Sequence, residues 1–182
     1  MYEVEVKVPA DHDAVRERLE SAGATRQGTV TQRDTYFDAP HRDFAATDEA
    51  LRLRRVTDDD GDTEARLTYK GSRVEGAGKT REEHETAVAD GDETTAILGG
   101  LGFDPAAVVE KRRERWGLDG YEVVLDDVTD LGEFVEVERE VPAERDVERA
   151  HRGAEDVLKA LGLDPDDAVT TSYLGLLLDS QQ

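Results

Sequence analysis

The chain has 182 residues and no cysteine, so disulfides and thiolate metal sites are excluded. Lys and Arg number 23 against 44 Asp and Glu, a net charge of −21 with a pI near 4.5, and such a surface repels nucleic acid and anionic membrane. No apolar run approaches a membrane span, and the first residues enter a strand directly, so the expectation is a soluble cytoplasmic protein without a signal peptide.

The acids crowd loops such as Asp58-Asp59-Asp60, and the bases are mostly Arg. This composition resembles that of proteins from salt-accumulating halophiles, in which strong salt screens self-repulsion. The length suits one domain, or at most two small ones, and a hydrophobic fraction of 37% suffices for a core; a single domain spanning residues 1–182 is expected.

Residues 1–8 alternate strictly, Tyr2, Val4, Val6 and Val8 against Glu3, Glu5 and Lys7, which is the period of a β-strand. Asp11 or Asp13 can cap a helix running to Ala22, with Val15 and Leu19 on its apolar face and Gly23 at its end. Val30 to Asp38 reads as a strand and Pro40 to Asp48 as a loop. Leu51–Arg54 and Arg66–Lys70 read as a hairpin around the Asp58–Asp62 turn. A Gly-rich loop, Gly71 to Lys79, precedes a strand that carries Arg81, Glu83 and Glu85 on one face. Glu93 to Leu101 is a short helix; strands follow at Val108–Trp116, Tyr121–Asp127 and Phe134–Val141. Val147 to Leu161 is an amphipathic helix closed by Gly162, and the tail Ser172–Leu178 is apolar enough to pack against the sheet. Sequential hairpins with a few helices predict an α+β fold on an antiparallel sheet.

The charged strand faces are the notable feature. Glu3, Glu5, Glu83, Glu85, Asp126, Glu136 and Glu138 stand against Lys7, Arg52, Arg54, Lys70, Arg81, Lys111 and Arg113. A dry core cannot hold so many ions, each of which costs several kcal/mol to desolvate, whereas a wet channel can. The bases fit a polyphosphate, with Arg forks on phosphate oxygens and Lys as point charges. Acids beside a polyanion require a cation, and Mg²⁺ or Mn²⁺ bridges carboxylate and phosphate. The two Glu-x-Glu pairs, Glu3/Glu5 and Glu136/Glu138, each present two carboxylates on one strand face.

At these residues the sequence resembles the CYTH superfamily, the triphosphate tunnel metalloenzymes. Glu3-Val4-Glu5-Val6-Lys7 matches its Glu-x-Glu-x-Lys signature. The likeness continues through Asp34–Asp38, Leu51–Arg54, Lys70-Gly71, Arg81 with Glu83, Glu110–Arg113, Leu125–Val128, Leu131–Glu138 and Ser172-Tyr173. Within the superfamily it is most similar to class IV adenylate cyclases of the CyaB type. The resemblance implies a closed antiparallel β-barrel of about eight strands with helices packed outside. It implies Mg²⁺ or Mn²⁺ on Glu3, Glu5, Asp126, Glu136 and Glu138. It implies triphosphate contacts from Lys7, Arg52, Arg54, Lys70, Arg81, Glu83, Lys111 and Arg113, with Glu3, Glu5 and Lys7 as the catalytic signature.

The expected reaction is conversion of ATP to cyclic AMP and pyrophosphate; the same groups would serve an inorganic or thiamine triphosphatase, or a binder of polyphosphate or nucleotide. The substrate expected is a nucleoside triphosphate or another triphosphate, with no nucleic acid or membrane partner. Gly78-Lys79-Thr80 imitates the end of a P-loop, but Arg73 stands where the first Gly belongs. His12, His41, His84 and His151 lack metal spacing and are expected at the surface; Trp116 and Phe134 are expected to pack, as is Tyr173, for which the family resemblance leaves a tunnel role open.

Overall fold

The computed structural model describes residues 2–73 and 81–180, with Arg73, Arg81 and Glu82 given by backbone alone. The strands are β1 (Tyr2–Pro9), β2 (Thr25–Asp38), β3 (Ala50–Asp58), β4 (Thr63–Arg73), β5 (Arg81–Val88), β6 (Asp104–Leu118), β7 (Tyr121–Val128) and β8 (Gly132–Val141). The helices are α1 (His12–Ser21), α2 (Gly91–Gly100), α3 (Val147–Ala160) and α4 (Tyr173–Ser180). One eight-stranded sheet has the order β1-β8-β7-β6-β2-β3-β4-β5. Every pairing with a defined register is antiparallel, as the hairpin pattern predicts.

The ladder ends on β1 and β5, which are not neighbours in the sheet: it is open, where a closed barrel was expected. A physical reason lies on β1. The Lys7 carbonyl, which a closing strand would need, accepts the Val169 N–H at 2.8 Å, so the segment after the 3₁₀ turn Pro165–Asp167 takes that edge.

The chain divides into two compact units, and the boundary falls within β2 and β6. The first comprises Met1–Val30 and Lys111–Gln182. Its core joins Val6 and Val8 of β1, Leu125 of β7 and Val135 and Val137 of β8 to Val15 and Leu19 of α1 and Leu158 of α3. Asp11 caps α1, accepting from the Ala14 N–H, and Val15 and Leu19, four residues apart, drop into that core. Burial contributes roughly 1.5–3 kcal/mol for each. His12 is buried, contrary to the surface position expected of it: its backbone N–H donates to Glu133 Oε2 and its Nε2 lies 2.9 Å from the Phe134 carbonyl. It thereby ties the start of α1 to β8. Packing of α3 on the sheet depends on Gly153, where an added Cβ would lie 2.0 Å from the Tyr121 hydroxyl; that hydroxyl instead donates to the Ala150 carbonyl at 3.0 Å. The apolar tail forms α4 and buries Tyr173 and Leu177.

The second unit, Thr31–Glu110, has its own core of Phe37, Phe44, Leu51, Leu53 and Leu98. Helix α2 starts earlier than its expected Glu93, because Asp90 caps it through the N–H groups of Asp92 and Glu93. In both units alternation sends the apolar residues to the core and leaves a charged opposite face.

Candidate functional site

In the first unit the charged face is built by register. Lys7 of β1 lies opposite Glu136 of β8, Glu5 opposite Glu138, and Arg113 of β6 opposite Asp126 of β7. Asp126 is fully buried and its carboxylate is saturated by cations. Arg113 grips it with two bonds, Nε to Oδ1 at 2.7 Å and Nη2 to Oδ2 at 2.6 Å, and Lys111 Nζ adds a third at 2.9 Å. The Tyr173 hydroxyl donates to Asp126 Oδ2 at 3.1 Å. Burial opposes ionisation of Asp126, but Arg113 and then Lys111 outweigh it and hold its carboxyl well below the usual range. The Arg113 guanidinium also donates to Glu136 Oε2 and, at 3.4 Å, to Glu138 Oε1. Burial weakens the Arg113 charge, and these three carboxylates more than restore it, so it stays protonated. The Lys7 and Lys111 ammoniums lie 4.3 and 4.9 Å from the centre of the Tyr173 ring, a cation–π arrangement on both.

Glu5, Glu136 and Glu138 form a second motif, with one oxygen from each within 4.8 Å of the others. Like charges directly opposite on neighbouring strands are unfavourable, and Glu138 shows the cost. Burial, and then Glu136 and Glu5 against the opposing pull of Arg113, push its carboxyl from 4.5 up to about 9. Glu136 goes the other way: burial is outweighed by Arg113 and Lys111, and its pKa is lowered. At neutral pH the trio therefore retains a proton unless a cation takes its place. An all-oxygen donor set on paired strands suits a hard divalent ion. Glu3 is exposed and stands outside this group, and Asp126 also stands outside it.

The second unit carries its own cluster, centred on Asp34 of β2. Arg54 of β3 grips Asp34 with two bonds, at 2.7 and 2.6 Å, and Arg52 approaches it at 3.6 Å. Arg52 also donates to Thr68 at 3.4 Å, and Thr68 donates to Glu85 at 2.9 Å. Burial raises the Glu85 carboxyl, but hydrogen bonds from Thr68 and Arg66 win and lower it. Lys70 pairs with Glu83 at 3.0 Å across the β4–β5 register. Tyr36, near Arg52, has its phenol raised by burial and then by Asp34. The expected role of Arg81 falls on a side chain outside the described residues.

Of the residues expected from sequence, the first unit brings together Glu5, Lys7, Lys111, Arg113, Asp126, Glu136 and Glu138. The second brings together Arg52 and Arg54 around Asp34, with Lys70 and Glu83 as a separate pair. Participants that were not among the expected site residues are Asp34, Tyr36, Arg66, Thr68 and the hydroxyl of Tyr173. The alternation Gln32-Asp34-Tyr36 in β2 is the signal that could have marked Asp34; for Tyr173, which arrives from the far end of the chain, the signal was the family likeness at Ser172-Tyr173 and not any local spacing. Trp116 and Phe134 pack as expected, Trp116 with its Nε1 on Glu114 at 2.9 Å and Phe134 edge-on to Tyr173.

Residues 1–173 match the family described as the CYTH domain. The chain is 36% identical over 177 residues, 97% of its length and 98% of the other, to a Methanocaldococcus jannaschii protein, MJ0240, named as a candidate adenylate cyclase. Among solved structures it is similar to the PH1819 protein of Pyrococcus horikoshii OT3, with a TM-score of 0.87 and 35% identity over 98% of this chain and 99% of that one. A Hippeastrum protein, HpAC1, described as a candidate adenylyl cyclase with a dominant triphosphatase activity, shares the fold. Its TM-score is 0.69 at 19% identity, over 98% of this chain and 95% of that one. Among the described residues no helix is long and apolar enough to cross a membrane.

Proposed function

This chain belongs to the CYTH domain family, and we propose that it is a metal-dependent enzyme acting on a triphosphate, an adenylate cyclase that converts ATP to cyclic AMP and pyrophosphate. The observation that carries this reading is the carboxylate trio of Glu5, Glu136 and Glu138 beside three buried or largely buried cations, Lys7, Lys111 and Arg113. The name of the 36% identical relative supports the cyclase assignment.

Mg²⁺ or Mn²⁺ on Glu5, Glu136 and Glu138, with Glu3 nearby in sequence, would supply charge neutralisation and acidify a reacting hydroxyl. The remaining work falls to the chain's own groups. Lys7, Lys111 and Arg113 hold phosphate oxygens; Asp126 and Tyr173 fix the heads of those cations before substrate arrives, so little reorganisation is needed. Considered by itself, the second unit has Arg52, Arg54 and Lys70 as groups of the kind that bind phosphate, and the family resemblance gives Arg81 the same expected role. In the cyclase reaction the ribose 3′-oxygen forms a bond to the α-phosphorus, and its proton passes through water to the departing pyrophosphate. The bond from the α-phosphorus to the bridging oxygen breaks, and pyrophosphate leaves onto the Lys and Arg groups.

A second reading is a triphosphatase, in which water attacks the terminal phosphoryl group. It is favoured by the chemistry of the first-unit cluster, whose cations suit any phosphate chain and whose described side chains include none specific to a base. The Hippeastrum protein indicates that the fold also hosts that reaction. The deciding experiment is product analysis with ATP and with inorganic triphosphate, in Mg²⁺ and in Mn²⁺ at high KCl. Cyclic AMP and pyrophosphate in equal amounts establish the cyclase, and orthophosphate without cyclic nucleotide establishes the triphosphatase. Absence of metal-dependent turnover with both would refute the enzyme. The protein is further proposed to be cytoplasmic and salt-adapted, on the strength of its −21 charge.

A further inference from the structure

Among the described residues two buried side-chain polar atoms have no hydrogen-bond partner: Gln32 Oε1, an acceptor, and Arg52 Nε, a donor. Gln32 is 8% exposed and Arg52 7%, so neither atom is served by bulk solvent. A buried polar group left unsatisfied is unfavourable by an amount comparable to the hydrogen bond it could make, and such groups in a folded protein call for a cause. Arg52 belongs to the Asp34 cluster of the second unit, and Gln32 precedes Asp34 on the same strand. Gln32 and Asp34 share a face of β2, two residues apart and therefore about 7 Å along the strand. Arg52 reaches Asp34 from β3, the neighbouring strand.

The two atoms ask for different things. A phosphate chain offers acceptors, so it can satisfy Arg52 Nε. With a divalent cation bound, which drives off its last proton, it offers no donor, and its oxygens would meet the carbonyl of Gln32 with repulsion. A ligand that satisfies both atoms carries phosphate oxygens at one point and an N–H or O–H at another. A nucleoside triphosphate does so, through a ribose hydroxyl or an exocyclic amino group, and inorganic triphosphate does not.

We propose that Gln32 contacts the nucleoside part of the substrate: its side-chain carbonyl accepts a hydrogen bond from a ribose hydroxyl or base amino group while Arg52 Nε donates to phosphate, which makes this cluster selective for a nucleoside triphosphate over an inorganic one. This rests on the reading of the protein as a triphosphate enzyme and narrows its substrate. Gln32 is then a specificity residue, and the Arg and Lys groups are indifferent to what the phosphate chain is attached to.

The test is equilibrium binding of ATP and of inorganic triphosphate to the whole protein, with Ca²⁺ in place of Mg²⁺ so that the ligands persist. The unmodified protein is compared with Gln32→Met, which keeps the length of the side chain and removes the acceptor, and with Gln32→Leu. Loss of one neutral hydrogen bond predicts roughly three- to tenfold weaker ATP binding and unchanged binding of inorganic triphosphate. On the unmodified protein, N6-dimethyl-, 2′-deoxy- and 3′-deoxy-ATP locate the donor, and one of them should lose a similar factor. If the unmodified protein binds neither ligand, the reading of the function falls and this inference with it. If it binds both, but the variants weaken both equally or neither, or no analogue loses affinity, this inference alone is overturned.

Discussion

Raising the pH should strengthen divalent-metal binding about tenfold per unit between pH 7 and 9, because each ion must displace the proton held by Glu138. With its carboxyl near 9, only about one molecule in a hundred has Glu138 ionised at pH 7. Removing that proton opposes metal binding by roughly 3 kcal/mol at pH 7 and by almost nothing above pH 9. The stability of the metal-free protein carries the same proton with a definite sign. A carboxyl whose folded pKa lies above its unfolded value stabilises the fold fully below the unfolded 4.5, and that contribution is lost as the pH rises through about 9. Asp126 and Glu136 run the other way: their pKa values are lowered by folding, so their contribution is present above the ordinary carboxylate range and is lost as acid reaches their folded values. The metal-free protein should therefore lose stability from neutral to mildly alkaline pH, and added metal should abolish that loss. Mn²⁺ titrations in buffers of different ionisation enthalpy, at pH 6.5, 7.5 and 8.5, measure affinity and proton release together, and melting curves with and without metal measure the stability. A pH-independent affinity with no proton released would refute the reasoning.

Glu138→Gln imitates the protonated carboxyl, so melting of the metal-free protein should change by no more than about 1 kcal/mol, while metal binding and turnover are lost; normal metal titration would sink the assignment. Glu136→Gln removes an ionised partner of Arg113 and should lower stability by roughly 1.5–3 kcal/mol as well as abolishing turnover, to be read from urea unfolding beside activity. Arg113→Ala leaves the fully buried Asp126 with Lys111 and Tyr173, and should cost on the order of 3–5 kcal/mol and slow turnover of ATP and inorganic triphosphate alike. Lower ionic strength should depress the melting temperature, since the −21 charge then repels over a longer Debye length; a flat response across KCl concentrations would count against salt adaptation.

How much of this was legible in the sequence depends on the range over which each residue is determined. Val4, Val6 and Val8 against Glu5 and Lys7 is a local pattern, and the structure keeps it: the valines are buried in the cores and the charged residues take the other face. Alternation assigns faces but not neighbours. It could not show that the Lys7 carbonyl would be taken by Val169, and so it could not show that the sheet would end at β1. His12 reads as a polar residue at a helix start, and it becomes buried only because Glu133 and Phe134 of β8 receive it. Tyr173 reads as packing and does pack on Phe134, yet its hydroxyl finds Asp126 and its ring two ammoniums. These partners lie far away along the chain, and no spacing rule reaches them.

The acids that sequence pooled as metal ligands are divided by their neighbours. Asp126 and Glu138 are both largely buried carboxylates beside the same Arg113, yet one is pushed far down and the other up to about 9. The difference is in how many cations each owns. Asp126 takes two bonds from Arg113 and one from Lys111, so its charge is spent within the protein, and a metal there would compete with three donors already in place. From cations among the described residues Glu138 receives only the long 3.4 Å bond from Arg113, and it faces Glu5 and Glu136. It therefore holds a proton until a further cation arrives to take its place. That asymmetry argues that Asp126 positions the phosphate-binding Lys and Arg heads, and that Glu138, with Glu5 and Glu136, is where a divalent ion gains most.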